Sequence, residues 1–274
     1  MTNSASIVYI PHGGGPLPLL GHSGHESLVK FLKNLGRQLP LPEAVIVISA
    51  HWEMDIPVIT SGPNPHLIYD YFGFPDAAYE IQYPAPGAPD LAKQVLENLS
   101  LAGIKARTDE KRGFDHGVFV PLTLMLPTAD IPCIQISLCA DLCPSSHLKI
   151  GEALTEVAKK NIWILGSGFS FHNMSAFTMD KSVPDEIDEQ NNQFQDWLME
   201  TCTGQKFLPE QRKERLIKWE FAPFARTCHP REEHLLPLLV CMAVAGYRPA
   251  KVLFDDTIMG RRALAFCITA KKLP

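Results

Sequence analysis

Apolar positions along the chain fall into short continuous runs separated by stretches of helical period. Ile7-Val8-Tyr9-Ile10 is the first run and Ala44-Val45-Ile46-Val47-Ile48-Ser49 the second. Both are rich in β-branched residues and read as strands buried on two faces. Between them Leu28, Phe31, Leu32 and Leu35 recur at helical spacing, which predicts a helix over 27–39 that Pro40 and Pro42 end. Strand, helix and strand make a βαβ unit, which implies a parallel pair. Residues 54–89 hold short strand-like pieces, many turn residues and the aromatic loop Tyr69-Asp70-Tyr71-Phe72-Gly73-Phe74-Pro75, suited either to surface packing or to a substrate lid. Leu91, Val95, Leu96 and Leu99 predict a helix over 88–102, closed by Gly103. The apolar stretch 118–126, with Pro121 near its start, predicts a short helix.

Strand 131–138, helix 144–159 and strand 161–166 form a further βαβ unit. Residues 184–201 alternate charges with Ile187, Phe194, Trp197 and Leu198 and read as a solvated amphipathic helix with no site implied. An apolar helix over 235–245 precedes two closing strands, 252–254 and 263–269. No repeat of fixed period and no low-complexity linker interrupts the pattern. It predicts one α/β domain over 1–274, with a mostly parallel central sheet flanked by helices. In such sheets ligands bind beyond the carboxyl ends of the strands, so the active site is expected there.

Composition narrows the class. Apolar content of 46% with 20% charged residues is that of an ordinary globular enzyme and argues against disorder. A net charge of −5 gives no electrostatic reason to expect nucleic acid. No apolar run is long enough to span a bilayer, so no membrane partner is expected. The first six residues carry neither a basic nor an apolar region of the kind that directs secretion, and the expected compartment is the cytosol. Seven cysteines are scattered without a CxxC pair, which argues against a zinc ribbon or a thioredoxin-type couple. Cys139 and Cys143 are expected to be ordinary reduced thiols.

The chemistry lies in the ten histidines. His12, His51 and His172 each lie just past the end of an apolar strand, so all three are expected at one rim of the sheet. Imidazole is the commonest protein ligand for transition metals, and this placement points to a metal-centred site. His234 stands at the start of an apolar helix, from where its ring could reach back across the strand ends. His116 follows Asp115 between glycine and aromatic residues, a context equally suited to a structural turn. His22, His25 and His229 read first as residues of helix starts, with the mouth of the site as the other place for His22 and His25. His66 and His147 read as ordinary structural residues. HExxH and GxSxG are both absent, and the Gly13-Gly14-Gly15 run is not followed by the Gly-Lys-Ser/Thr of a phosphate-binding loop.

Five segments in order resemble the class III extradiol ring-cleavage dioxygenases of the LigB superfamily, and within them the DOPA 4,5-dioxygenase-like branch. They are Pro11-His12-Gly13-Gly14-Gly15-Pro16, Ser49-Ala50-His51-Trp52, Gly113-Phe114-Asp115-His116-Gly117, Gly166-Ser167-Gly168 with His172-Asn173, and Glu233-His234-Leu235-Leu236-Pro237-Leu238. The loop 73–87 is similar as well, so the resemblance covers nearly the whole chain. It implies one divalent metal ion, Fe(II) for activity, with Zn(II) described in the same pocket of some relatives. It also implies a catechol substrate and O2 as the small-molecule partners, and it leaves the oligomeric state open.

Carried over motif by motif, His12, His51 and His234 are the implied metal ligands. His172 is the implied acid/base group, counted with the metal site in some descriptions, and His116 the implied hydrogen-bond partner of substrate or oxygen. Many extradiol enzymes complete the set with a carboxylate; here His234 takes that place, and the adjacent Glu233 is the alternative. Phe169, Phe171, Trp52 and the 69–74 aromatics are candidates for the pocket wall. Two rival functions use the same residues: a zinc-dependent hydrolase, and a non-catalytic, Memo-like partner-binding protein.

Overall fold

The β-branched run at Ala44–Met54 forms β2, near the middle of an eight-stranded sheet. The structure is a computed structural model that describes residues 5–177 and 185–268. The other strands are β1 (Ser6–Pro11), β3 (Val58–Thr60), β4 (Arg107–Asp109), β5 (Cys133–Cys139), β6 (Ile162–Gly168), β7 (Lys251–Ile258) and β8 (Arg261–Cys267). They lie in the order β4-β3-β5-β2-β6-β1-β8-β7. The inner four, β5, β2, β6 and β1, are mutually parallel. β1, β5 and β6 are buried along their whole length, which is why their sequences are apolar without alternation. β7 and β8 close one side as an antiparallel hairpin, and β3 runs antiparallel to β5.

The expected βαβ unit is present, with one difference. β1 and β2 are parallel but not neighbours, because β6, arriving more than a hundred residues later, inserts between them. That insertion sets the site. Pro11 of β1 pairs with Gly168 of β6, and Ser49 of β2 with Ser167, so the ladder joining the three strands ends level at one rim. The chain leaving each of them emerges at the same rim.

β2 also runs further than the apolar stretch predicted. It advances from Ile48 to Glu53 while β5 advances only from Ile136 to Leu138, and this irregularity holds Ser49, Ala50, His51 and Trp52. His51 therefore sits on a bulge within the strand and not past its end. Bulges re-aim side chains, and here the bulge turns the histidine into the rim.

The helices are α1 (Glu26–Gln38), α2 (Pro89–Leu101), α3 (His116–Met125), α4 (Pro144–Ala153), α5 (Glu186–Thr203), α6 (Pro209–Ile217), α7 (Ala225–Cys228) and α8 (Leu236–Val244). Every residue of α8 is buried, as a helix apolar on all sides must be. α3 begins at His116, not at 118, so Pro121 lies inside the helix and not near its start. α4 stops at Ala153, short of the expected 159. α5 is not simply solvated: Phe194, Leu198 and Cys202 are buried, and so are Asn191 and Gln195, which bond to each other. The amphipathic α6 was not among the expected elements. The start of the helix expected at 184, Thr269 of the last strand and residues 1–4 lie outside the described residues. Among the described residues no helix is long and apolar enough to cross a membrane.

Candidate metal centre

His12 continues directly from β1, its backbone N–H donating to the Gly168 carbonyl of β6 at 3.1 Å. Its Nε2 lies 3.0 Å from Nε2 of His51 on the β2 bulge. His234, which precedes α8, brings its ring to 5.2 Å from His12 and 4.9 Å from His51, centroid to centroid. One ligand atom from each of the three falls within 4.8 Å of the others. Residues that are far apart in sequence thus meet at the level strand ends.

The second ring nitrogens of His12 and His234 are occupied. His12 Nδ1 is 3.0 Å from Ser167 Oγ. His234 Nδ1 is 2.8 Å from Glu233 Oε1, and a carboxylate can only accept, so that nitrogen carries the hydrogen. Both rings are left with Nε2 as the open donor. Burial holds the pKa of His12, His51 and His234 well below the ordinary histidine value, and the neighbouring imidazoles deepen the effect. Neutral rings with bare nitrogens are the form in which histidine binds metal. Two nitrogens held at a right angle by one ion at about 2.1 Å lie about 3 Å apart, the separation of His12 and His51 here. The donor set fits a divalent cation.

Two carboxylate–histidine pairs flank this cluster. On one side His172 stacks on His234 with centroids 3.3 Å apart and an 18° tilt. Its Nδ1 lies 3.0 Å from the same Glu233 Oε1 that serves His234. Burial raises the Glu233 carboxyl, but hydrogen bonds from His172 and from its own backbone, with the charges of His172 and Arg231, outweigh it and hold it below the usual range. Arg231 reaches Glu233 Oε2 at 3.4 Å while gripping both oxygens of Glu53. On the other side Asp70 Oδ1 accepts from both the backbone N–H and Nδ1 of His116, at 3.0 and 2.8 Å. Asp70 Oδ2 is 3.7 Å from His51 Nδ1, too far for a hydrogen bond.

Ligand atoms of His51, Asp70 and His116, and of His172, Glu233 and His234, also come within 4.8 Å of one another. In both groups the short contacts are hydrogen bonds from imidazole to carboxylate. Such bonds orient ligands and do not by themselves form a binding set. Glu233, the alternative third ligand, therefore stands behind His234.

The other histidines are structural. His25 is buried and accepts from the Gly14 backbone N–H at 3.0 Å, bracing the glycine loop after His12, with His22 against its far side. His147 accepts from Cys139 N, and the buried His229 bonds to the Ser170 carbonyl. His66 is exposed. Of the proposed pocket wall, Phe169 and Phe171 are core residues, and Trp52 is buried beneath the Arg112 guanidinium. Tyr71 does reach the site, its ring 5.9 Å from that of His116, while Phe72 is 91% exposed.

Sequence reasoning did not single out Asp70, Ser167 or Asp115. Asp115 is fully buried, bonded by Ser49, Gln135 and Arg112, and it fixes the start of α3 next to His51. The one signal available was a lone aspartate between two tyrosines in a loop otherwise made of aromatic and turn residues.

Known proteins resemble this chain over most of its length. The family model described as the catalytic LigB subunit of aromatic ring-opening dioxygenase matches residues 7–260. The chain is 38% identical over 268 residues to the dioxygenase tasH of Hapsidospora irregularis, covering 93% of this chain and 83% of that protein. It is 35% identical over 248 residues to the 4,5-DOPA dioxygenase extradiol of Beta vulgaris, covering 89% and 88%. The protein of the same description from Escherichia coli K12 is 30% identical over 253 residues, covering 89% and 91%. Among solved structures, an uncharacterized Escherichia coli K12 protein superposes with a TM-score of 0.71 at 27% identity, covering 88% of this chain and 92% of that one.

Proposed function

The chain belongs to the LigB family of aromatic ring-opening dioxygenases, and we propose that this extradiol enzyme opens a catechol-type ring, DOPA or another substituted catechol, at Fe(II) held by His12, His51 and His234. The observation that carries the assignment is the pair of Nε2 atoms 3.0 Å apart, with the Nδ1 atoms of His12 and His234 already engaged elsewhere. A divalent metal there supplies Lewis acidity toward the catechol oxygens and, as iron, the redox chemistry with O2.

The chain's own residues handle protons and orientation. His172 is tied through Nδ1 to Glu233, which leaves Nε2 to take a proton from a catechol hydroxyl and to return one as the ring opens. Imidazole suits both steps because its ring nitrogen can both accept and donate a proton. His116, fixed through Nδ1 by Asp70, presents Nε2 from the opposite side as a hydrogen-bond partner for substrate or oxygen. Tyr71 supplies an aromatic wall beside it. Cytosolic placement remains part of the proposal. The hydrolase and partner-binding readings gain nothing from relatives named as dioxygenases.

Protein loaded anaerobically with Fe(II) is expected to consume O2 when given a substituted catechol and to form a yellow ring-opened semialdehyde. The Zn(II)-loaded form is expected to consume none. His172→Phe is expected to lose turnover while keeping its metal. An absence of oxygen uptake across a series of catechols would rule the substrate class out.

A further inference from the structure

Ser167 lies in the middle of the Gly166-Ser167-Gly168 segment, and nothing in the proposed reaction uses it. It is fully buried in β6, in register with Ile10 of β1 and Ser49 of β2. Its Oγ meets two groups, the Gly117 carbonyl at 2.5 Å and His12 Nδ1 at 3.0 Å. A hydroxyl has one hydrogen to give. The carbonyl can only accept, so that hydrogen goes to Gly117. Toward His12 the serine can then only accept, and Nδ1 must carry the hydrogen. Nε2 of His12 is thereby left bare, facing His51.

The Gly117 carbonyl is available because of an oddity in the sequence. In a helix the carbonyl of residue 117 bonds to the N–H of residue 121, and residue 121 is proline, which has none. Pro121 thus leaves a carbonyl near the start of α3 in need of a donor, and Ser167 provides it. The close approach also needs a glycine: a Cβ at residue 117 would lie 2.4 Å from Ser49 Oγ and 3.2 Å from the His51 ring.

We propose that Ser167 is a positioning residue that locks His12 in the Nδ1–H tautomer, so that Nε2 is the donor a divalent cation meets, with Pro121 and Gly117 orienting the serine. The proposal rests on the reading of His12 as a metal ligand. A plainer role exists: Ser167 could simply dock the first turn of α3 on the sheet, as Ser49 does through Asp115. Docking alone would leave the His12 tautomer indifferent to the serine, and that separates the two.

The test is long-range 1H–15N NMR of the metal-free full chain above neutral pH, with the His12 signals assigned from H12A. In parallel, Zn(II) affinity is measured by competition with a chromophoric chelator. Wild-type His12 is expected as the Nδ1–H form. S167A is expected to show mixed tautomers and to bind Zn(II) about 10–100-fold more weakly, the usual loss when the partner of a metal-binding histidine is removed. Wild-type His12 protonated at Nε2 overturns the proposal, and that measurement needs no variant to fold. S167A with an unchanged tautomer and unchanged affinity overturns it too. H12A that binds Zn(II) as tightly as wild type instead overturns the ligand reading, and the wild-type tautomer still reports on Ser167.

Discussion

Glu233 Oε1 accepts from two imidazoles at once, His234 at 2.8 Å and His172 at 3.0 Å, whereas Asp70 bonds His116 and stands 3.7 Å from His51. The two carboxylates should therefore fail differently. Glu233→Ala frees His234, the proposed ligand, and His172, the proposed acid/base group, together, so it should weaken metal binding about 10–100-fold and lower turnover as well. Asp70→Ala loosens His116 without removing a hydrogen bond from any ligand, so turnover should fall while metal affinity holds. Chelator competition and an oxygen electrode read the two effects separately; equal losses of metal affinity would contradict the division. At this scale His12, His51 and His172 were legible because each follows an apolar run, and His234 because it precedes an apolar helix. The carboxylates behind them were not, since their roles depend on which ring stands opposite. Asp70 meets a partner forty-six residues away. Glu233 was legible as a member of the site but not as the residue behind His234.

Among the elements, α3 carries the most local information. Its first turn docks on the sheet through Ser49 to Asp115 and Ser167 to Gly117. In an exposed helix Gly→Ala gains up to about 1 kcal/mol. At Gly117 the added Cβ would sit 2.4 Å from Ser49 Oγ in a packed interior, and overpacking costs about 1–3 kcal/mol. The clash outweighs the propensity, so Gly117→Ala should lower the urea midpoint and also weaken metal binding through His51. A more stable variant would mean that α3 can move off the strand ends freely. Periodicity found most elements because burial dictates it; the apolar runs of β1, β2, β5 and β6 need no partner to be recognised. It missed that β6 lies between β1 and β2, because strand order is set by contacts a linear pattern does not contain. It also missed the extension of β2 through His51, because a bulge has no hydrophobic period.

For the whole molecule, the buried histidines set a direction in pH. Burial pushes His25 and His229 down to about 4, and it lowers His12, His51 and His234 as well. The unfolded chain takes up these protons below its ordinary histidine pKa of about 6.5, whereas the folded chain does not. Where the unfolded state binds more protons, stability falls as pH falls. The loss therefore begins near pH 6.5 and continues to about pH 4, where His25 and His229 would each have withdrawn up to about 3 kcal/mol. Against a total of about 5–15 kcal/mol for a folded domain, that is a large share of the metal-free protein's stability, lost before most carboxylates titrate. A metal bound to the three neutral rings adds stability that holds through this window, because the folded rings stay neutral until well below pH 6.5 and protons compete for their nitrogens only there. Thermal midpoints measured from about pH 8 to about pH 5 should be level at the alkaline end and then drop. The increment given by Zn(II) should persist across that drop, since the folded rings remain neutral. A midpoint indifferent to acid over that range would mean that the rings are not held neutral by burial, and the bare nitrogens on which the metal site depends would lose their physical basis.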